Sequence, residues 1–355
     1  MIPGTSMAIE PWDVIIVGQG LAGTTLAWHL RDAGQRVLVI DADEQVTASK
    51  IAAGLITPIT GLRMALSWRG DVFLSAARAF YTRVETLTGT KFFHDGTAVR
   101  LFVSDAERQN WAQRCVQPAV QTHLVMPPSE PLLDPKLGDA SCGGFEMYAA
   151  RLDVAAYLEA SRAVFETEFL TLDWQHEVTI EKDGVSVGGR RARYLVSCEG
   201  YGATRNPYFS WVPFKAAKGD ILTVRFHSAV PDRCIHRGIW IAPTAGPDVF
   251  RVGSTYDWDT LDQVPSAPAR AEIEGKLQEF FHVPYTVLNH QAAVRPVIRE
   301  SKALIGLHPA HDRLGYFNGL GSKGSLHAPW FAHAFTRFLV EGTPLPEGSD
   351  LRKAY

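Results

Sequence analysis

One stretch near the N-terminus restricts the fold more than any other. Residues 13–17 (DVIIV) form a β-branched run of the kind found in buried parallel strands, and it leads directly into Gly18-Gln19-Gly20-Leu21-Ala22-Gly23. Leu21, Ala22, Leu26, Ala27 and Leu30 then recur at helical spacing until Asp32-Ala33-Gly34 stops the helix. Residues 36–40 (RVLVI) predict a second buried strand, with Asp41 at its end. In such a unit Gly18 permits the tight turn, Gly20 lets the backbone approach a pyrophosphate, and Gly23 lets helix and strand pack closely. The helix N-terminus receives phosphate charge, while Asp41, about 20 residues on, is placed to accept hydrogen bonds from a ribose diol. A GxGxxG alone occurs by chance. Here strand, helix, second strand and terminal acid agree, and a bound dinucleotide is expected. FAD and NAD share this fingerprint, so the choice between them rests on the remaining chain.

The chain has 355 residues, 46% hydrophobic and 21% charged, more than one simple core usually holds, and two domains are expected. A formal charge of -3 leaves no broad basic field to grip a nucleic-acid backbone. No apolar run reaches the roughly 18 residues of a membrane span, and residues 1–13 lack the basic and apolar regions of a secretion signal. A soluble cytoplasmic protein is therefore expected. Cys115, Cys142, Cys198 and Cys234 contain no CxxC pair, which suits a reducing compartment. His308 and His311 lie without a Cys or carboxylate cluster at ligand spacing, so no metal site is expected. Residues 342–355, rich in Pro, Gly and charge, read as a frayed end.

Between residues 71 and 88 the positions Phe73, Ala76, Ala77, Phe80, Val84 and Leu87 keep a helical period. Beyond them the texture changes. Residues 98–103, 221–226, 239–242 and 249–252 are short β-rich runs separated by Gly, Pro and Asp turns, which suits an antiparallel sheet.

Directly after the second strand comes Ala48-Ser49-Lys50-Ile51-Ala52-Ala53-Gly54-Leu55-Ile56-Thr57-Pro58, whose small residues let a flat ring lie against the backbone, with Ser49 and Lys50 able to reach phosphate. Later stretches are Tyr194-Leu195-Val196-Ser197-Cys198-Glu199-Gly200, then Val294-Arg295-Pro296, and finally the glycine-rich run from Gly319 through Pro329. In this order the segments resemble the D-amino-acid oxidase-like (DAO) superfamily of FAD-dependent oxidoreductases. The pattern is nearest to glycine oxidase and to the flavin domain of the tRNA 5-methylaminomethyl uridine-forming enzyme.

That resemblance implies an α/β fold with a Rossmann-like FAD/NAD(P)-binding domain and a second α+β domain whose antiparallel sheet roofs the flavin. The expected boundaries are 8–90 with 146–210 and 291–345 for the first, and 91–145 with 211–290 for the second. FAD contacts are implied for the N-terminal unit (Gly18, Gly20, Leu21, Ala22, Gly23, Asp41, Ala42) and for Ser49, Lys50, Ala53, Gly54 and Leu55. Further contacts are implied for Gly200, for Gly321, Ser322, Lys323, Gly324 and Ser325, and for Val178 on the adenine side. Residues 319–329 read as a loop opening a helix, with Pro329 in the first turn and Trp330, Phe331, Ala334, Phe335, Phe338 and Leu339 as its apolar stripe. In the family this loop holds the pyrimidine edge of the flavin, where charge accumulates on reduction. No Cys follows Cys234, so attachment of FAD through a late cysteine is excluded and the cofactor is expected to be non-covalent.

Arg295 stands among Ala292, Ala293, Val294 and Pro296, where a guanidinium is either paired with a structural carboxylate, such as Glu300, or kept open as a clamp for one. In glycine oxidase-like proteins this Arg grips the carboxylate of an amino acid. Trp240 corresponds to an aromatic wall of the substrate side that is Tyr in those relatives. The second basic residue of their loop is replaced by Ser322, with Lys323 beside it. Arg63 and Arg299 are candidate second anchors, and Lys218 is a candidate positive charge near oxygen. The expected activity is oxidation of the C–N bond of a small carboxylated amine or amino acid by hydride transfer to flavin N5, with dioxygen or another acceptor closing the cycle. Alternatives are action on an aminomethyl group of tRNA, a flavoprotein that binds without turnover, and an NAD-dependent dehydrogenase.

Overall fold

A computed structural model describes residues 12–61, 63–128, 131–298 and 302–354. Among the described residues the chain builds two eight-stranded sheets and a short ribbon, Ile59–Thr60 with Ala65–Leu66.

Trp12–Val17 lies centrally in the first sheet, paired in parallel with Arg190–Ser197 on one side and Val37–Asp41 on the other. Glu166–Phe169 and Leu314–Asn318 extend this parallel set outward, and Leu304–Leu307 closes one edge antiparallel. The unbroken apolar run of the central strand follows from burial on both faces. Val14 and Ile16 enter one core, whereas Ile15 and Val17 enter the other. Helices Leu21–Asp32, Gly70–Thr88 and Gly324–Glu341 cover the Val14 and Ile16 face through Leu26, Phe73, Phe80, Phe331 and Phe335.

Two expectations are corrected here. Pro329 lies in the second turn of Gly324–Glu341 and not in the first. A proline there deprives the Ser325 carbonyl of its helical donor, and the Tyr81 hydroxyl donates to that oxygen at 3.0 Å instead. The chain end is also packed: the Ile305 amide donates to the Ser349 carbonyl at 2.8 Å, and Leu351 is fully buried against the first sheet. Two apolar side chains, Leu345 and Leu351, dock this otherwise polar tail.

The second sheet runs Tyr285–Arg295, Ala217–Phe226, Val249–Gly253, Ile239–Pro243, Cys234–Arg237, Phe93–Leu101, Gly144–Leu152 and Leu55–Ile56. It is antiparallel, as expected, with one parallel pair where Phe93–Leu101 meets Cys234–Arg237. Those two strands are joined through the first sheet and not by a hairpin, so nothing forces them to run oppositely. The expected boundaries at 146 and 291 fall inside Gly144–Leu152 and Tyr285–Arg295, both strands of the second sheet.

Candidate active site

The carboxyl ends of the central parallel strands face the second sheet across a cleft of about 790 Å³, a volume usual for a cofactor site. Val17, Asp41, Cys198 and Asn318 bring those strand ends to it, and Trp240, Ala293 and Arg295 come from the opposing sheet.

At the dinucleotide end, Gly18 has φ +101°, and a side chain there would fall 2.6 Å from the Cys198 carbonyl oxygen. A methyl on Gly23 would sit 1.9 Å from the Gly18 carbonyl oxygen, so Gly23 seats the helix on the turn and does not itself line the cleft. Gly18, Gly20, Leu21 and Ala22 do line it. Ser49 accepts from the Leu21 amide at 3.1 Å, at the start of that helix. Asp41 lines the cleft beside Ala42 and accepts from the Gln19 amide at 2.6 Å. Lys50 reaches the cleft, but its ammonium donates to the Glu44 carbonyl and lies 3.6 Å from Asp43. Arg162, which sequence reasoning missed, joins this end together: Nε donates to Gln19 Oε1 at 2.9 Å and Nη1 to Asp43 Oδ1 at 2.8 Å, while Nη2 lies 3.5 Å from Asp41 Oδ1.

Val178 is corrected. It is buried in the core with Val185 and Val187 and does not reach the cleft; Leu170, Thr171 and Leu172, ahead of a turn that starts at Asp173, and Trp174 within that turn line the cleft instead. Glu199 was also missed as a site residue. Its carboxyl is pushed up by burial, and it accepts from Trp174 Nε1 at 3.1 Å, Ser197 Oγ at 2.6 Å and Asn206 Nδ2 at 2.7 Å. Burial likewise pushes the Cys198 thiol well up.

Toward the other end, Ala53, Gly54, Leu55, Gly200, Gly321, Ser322, Gly324 and Ser325 line the cleft. Lys323 does not. It ends the turn Gly321–Lys323, and its Nζ donates to Ser67 Oγ at 3.1 Å, in the segment leading to helix Gly70–Thr88. Burial lowers the pKa of this ammonium and, with Lys323 close by, brings His327 down to about 4.

Arg295 lines the cleft at the end of its strand, with its guanidinium 4.3 Å from the Tyr256 ring centroid. Nη1 donates to the Lys218 carbonyl at 3.2 Å, and Nη2 donates to Ser254 Oγ at 2.6 Å and to the Thr255 carbonyl at 3.2 Å. Three of the five guanidinium N–H groups are thus engaged, all by neutral oxygens. Among the described residues no carboxylate lies within ion-pair distance, and desolvation lowers the Arg295 pKa. Lys218, expected near oxygen or in a surface turn, is instead buried, with Nζ 2.6 Å from Asp262 Oδ1. Asp262 lines the cleft from a loop that also brings Leu261 and Gln263 to it. Arg63 is exposed and away from the cleft, and Arg299 and Glu300 lie outside the described residues. His308 and His311 stack on one another at 4.9 Å beside Phe209.

A Rossmann-like sheet with a glycine turn at its strand ends, facing a second sheet across such a cleft, defines a dinucleotide-binding architecture. Over residues 13–338 the chain matches the DAO family, FAD dependent oxidoreductase, and it belongs to that family. Glycine oxidase of Bacillus licheniformis is 24% identical over 340 residues, covering 90% of either chain. Glycine oxidase from Geobacillus kaustophilus shares the fold with a TM-score of 0.77 at 19% identity, over 98% of both chains. Iminodiacetate oxidase from Chelativorans sp. BNC1 does so with a TM-score of 0.73 at 20% identity, over 95% of this chain and 98% of its own. FAD is the family's cofactor, which decides against an NAD-dependent dehydrogenase. The site fits it. Neither helix Leu21–Asp32 nor helix Gly324–Glu341 has an acid in its first turn or a side-chain cap from its N-cap residue, and both open onto the cleft. Two positive helix ends are therefore presented to one ligand, as a group with an anionic linker and a ring that gains charge requires. Among the described residues no helix is long and apolar enough to cross a membrane.

Proposed function

We propose that this FAD-dependent oxidoreductase oxidises the C–N bond of a small carboxylated amine or amino acid. The observation that carries the reading is Arg295, a desolvated guanidinium at the cleft with neutral partners and N–H groups to spare. A cation so placed favours an anionic ligand, and a planar carboxylate matches its fork. The glycine oxidases and the iminodiacetate oxidase that share its fold are named for substrates of this kind.

When bound, FAD would supply a two-electron acceptor for the hydride from the carbon beside nitrogen. Every other task falls to the chain. Arg295 orients the substrate by its carboxylate, which turns the C–H bond toward the acceptor. Trp240, Ile221 and Ala293 form an apolar wall of the cleft that excludes water from the reacting carbon. The neutral amine's lone pair becomes the C=N bond as the hydride leaves, so no side-chain base is needed once that amine has lost its proton. The amide groups of Gly324–Glu341 favour the negative charge that accumulates on reduction. The iminium formed by loss of the hydride departs and is hydrolysed in water, and dioxygen or another acceptor would be the final oxidant.

Anaerobic mixing of the yellow holoenzyme with glycine, sarcosine, iminodiacetate, proline and D-amino acids tests this. Bleaching by at least one is expected, and no bleaching by any of them contradicts the assignment.

A further inference from the structure

We infer that Arg251, on the second sheet, is a positioning residue that aims the backbone N–H of Ala53 into the cleft as a hydrogen-bond donor to FAD. Arg251 lies on Val249–Gly253 and is absent from the cleft lining. Its guanidinium crosses to the other sheet's loop, donating from Nη1 to the Ala52 carbonyl and from Nη2 to the Lys50 carbonyl at 3.2 Å. Ala52 and Ala53 do line the cleft.

The consequence follows from peptide geometry. In a planar trans peptide the C=O of one residue and the N–H of the next point in opposite directions. With the Ala52 oxygen held toward Arg251, which lies outside the cleft lining, the Ala53 N–H points away from Arg251, and Ala53 itself lines the cleft. Neighbouring amides are occupied: Ile51 donates to the Thr47 carbonyl and Ala52 to the Ser49 carbonyl. The Ala53 amide donates to no group among the described residues. A half-buried backbone donor without a partner is uncommon in a folded chain and marks a place where a ligand acceptor completes the count.

The position along the cleft follows from packing. Ile51 and Ala48 contact Trp240, Ile221 and Ala293, the last on the strand that carries Arg295. The segment that carries the Ala53 donor therefore packs at the side of the cleft formed by Trp240 and by Ala293 on the strand of Arg295, and not at the end marked by Asp41. A donor fixed there favours the electron-rich reduced state over the oxidised one. Arg251 does this without touching the cofactor, and two carbonyls held by one planar fork resist rotation of the peptide better than one.

The test compares wild-type holoenzyme with R251M and R251K, reading the flavin midpoint potential by dye equilibration and the FAD Kd by ultrafiltration, with thermal melting as control. Neither readout needs an amine substrate, so the result stands whether or not the proposed substrate class is right. R251M should make the potential more negative and raise the Kd about tenfold, and R251K, which keeps one donor, should recover part of both. A wild-type potential in R251M, whatever its melting temperature, overturns the inference. Should R251M fail to fold, R251K alone decides: a more negative potential supports the role, and a wild-type potential overturns it.

Discussion

The guanidinium of Arg295 lies flat against the Cα of Gly219: a methyl on Gly219 would fall 1.9 Å from Nη2 and 2.3 Å from Cζ. With the Tyr256 ring over the cation at 4.3 Å, the cation has little freedom to move. G219A is therefore expected to displace Arg295 and raise KM about tenfold, while R295M raises it about 100-fold through loss of a charge-assisted contact. FAD content should stay at the wild-type level in both. Steady-state kinetics with the best amine of the panel checks this, and an unchanged KM in R295M contradicts it.

Arg162 holds Gln19, Asp41 and Asp43, so its effect belongs to cofactor affinity. R162M should raise the FAD Kd about tenfold and leave kcat at saturating FAD within twofold. The reverse pattern, wild-type Kd with reduced kcat, contradicts that division of labour.

Tyr81 and Pro329 form a testable pair. Y81F leaves the Ser325 carbonyl buried without a donor, at a cost of about 1–3 kcal/mol. In the P329A background a helical N–H is restored at position 329, and the same Y81F change should cost less. Urea unfolding of the four proteins measures the coupling, and equal costs in both backgrounds would exclude this explanation of how the helix accommodates its proline.

Acid sensitivity follows from buried histidines. Burial brings His29 and His236 to about 3, and burial with Lys323 brings His327 to about 4, against 6.5 for the unfolded residue. Because the unfolded chain takes up protons that these native histidines refuse, stability falls as pH drops below 6.5, by up to about 1.4 kcal/mol per pH unit for each. Melting temperature should be flat between pH 7 and 8 and decline from pH 6.5 downward. H236Q, which removes the neutral partner of Arg100 but no charge, should flatten the decline. A melting temperature independent of pH down to 5 contradicts this.

What could be read from the chain alone is what local order determines. The unit around Gly18, Gly23 and Asp41 is contiguous, its glycines answer steric demands within one turn, and strand and helix periods there do not compete. The position of Arg295 at the cleft was legible from a cation set among apolar neighbours. The rest depends on partners far apart in sequence. Glu199 looks like any strand-end acid until Trp174 and Asn206 are brought to it, and Arg162 looks like a helix-surface cation until its helix lies against the Asp41 loop. Val178 failed for the opposite reason: a β-branched residue suits a core strand and a cofactor wall equally, and a turn at Asp173 decided between them. The docked tail and the second-turn proline likewise required Ile305 and Tyr81, far away along the chain.

Stopped-flow reduction of the holoenzyme under anaerobic conditions, comparing sarcosine and glycine with dimethylamine and methylamine in wild type and R295M, probes the role of the Arg295 cation most directly. Reduction of the wild-type flavin by an acid-bearing amine at least about 100-fold faster than by its carboxylate-free counterpart, with that preference lost in R295M, is the expected result. Equal rates with and without the carboxylate, or a preference that survives in R295M, would contradict it.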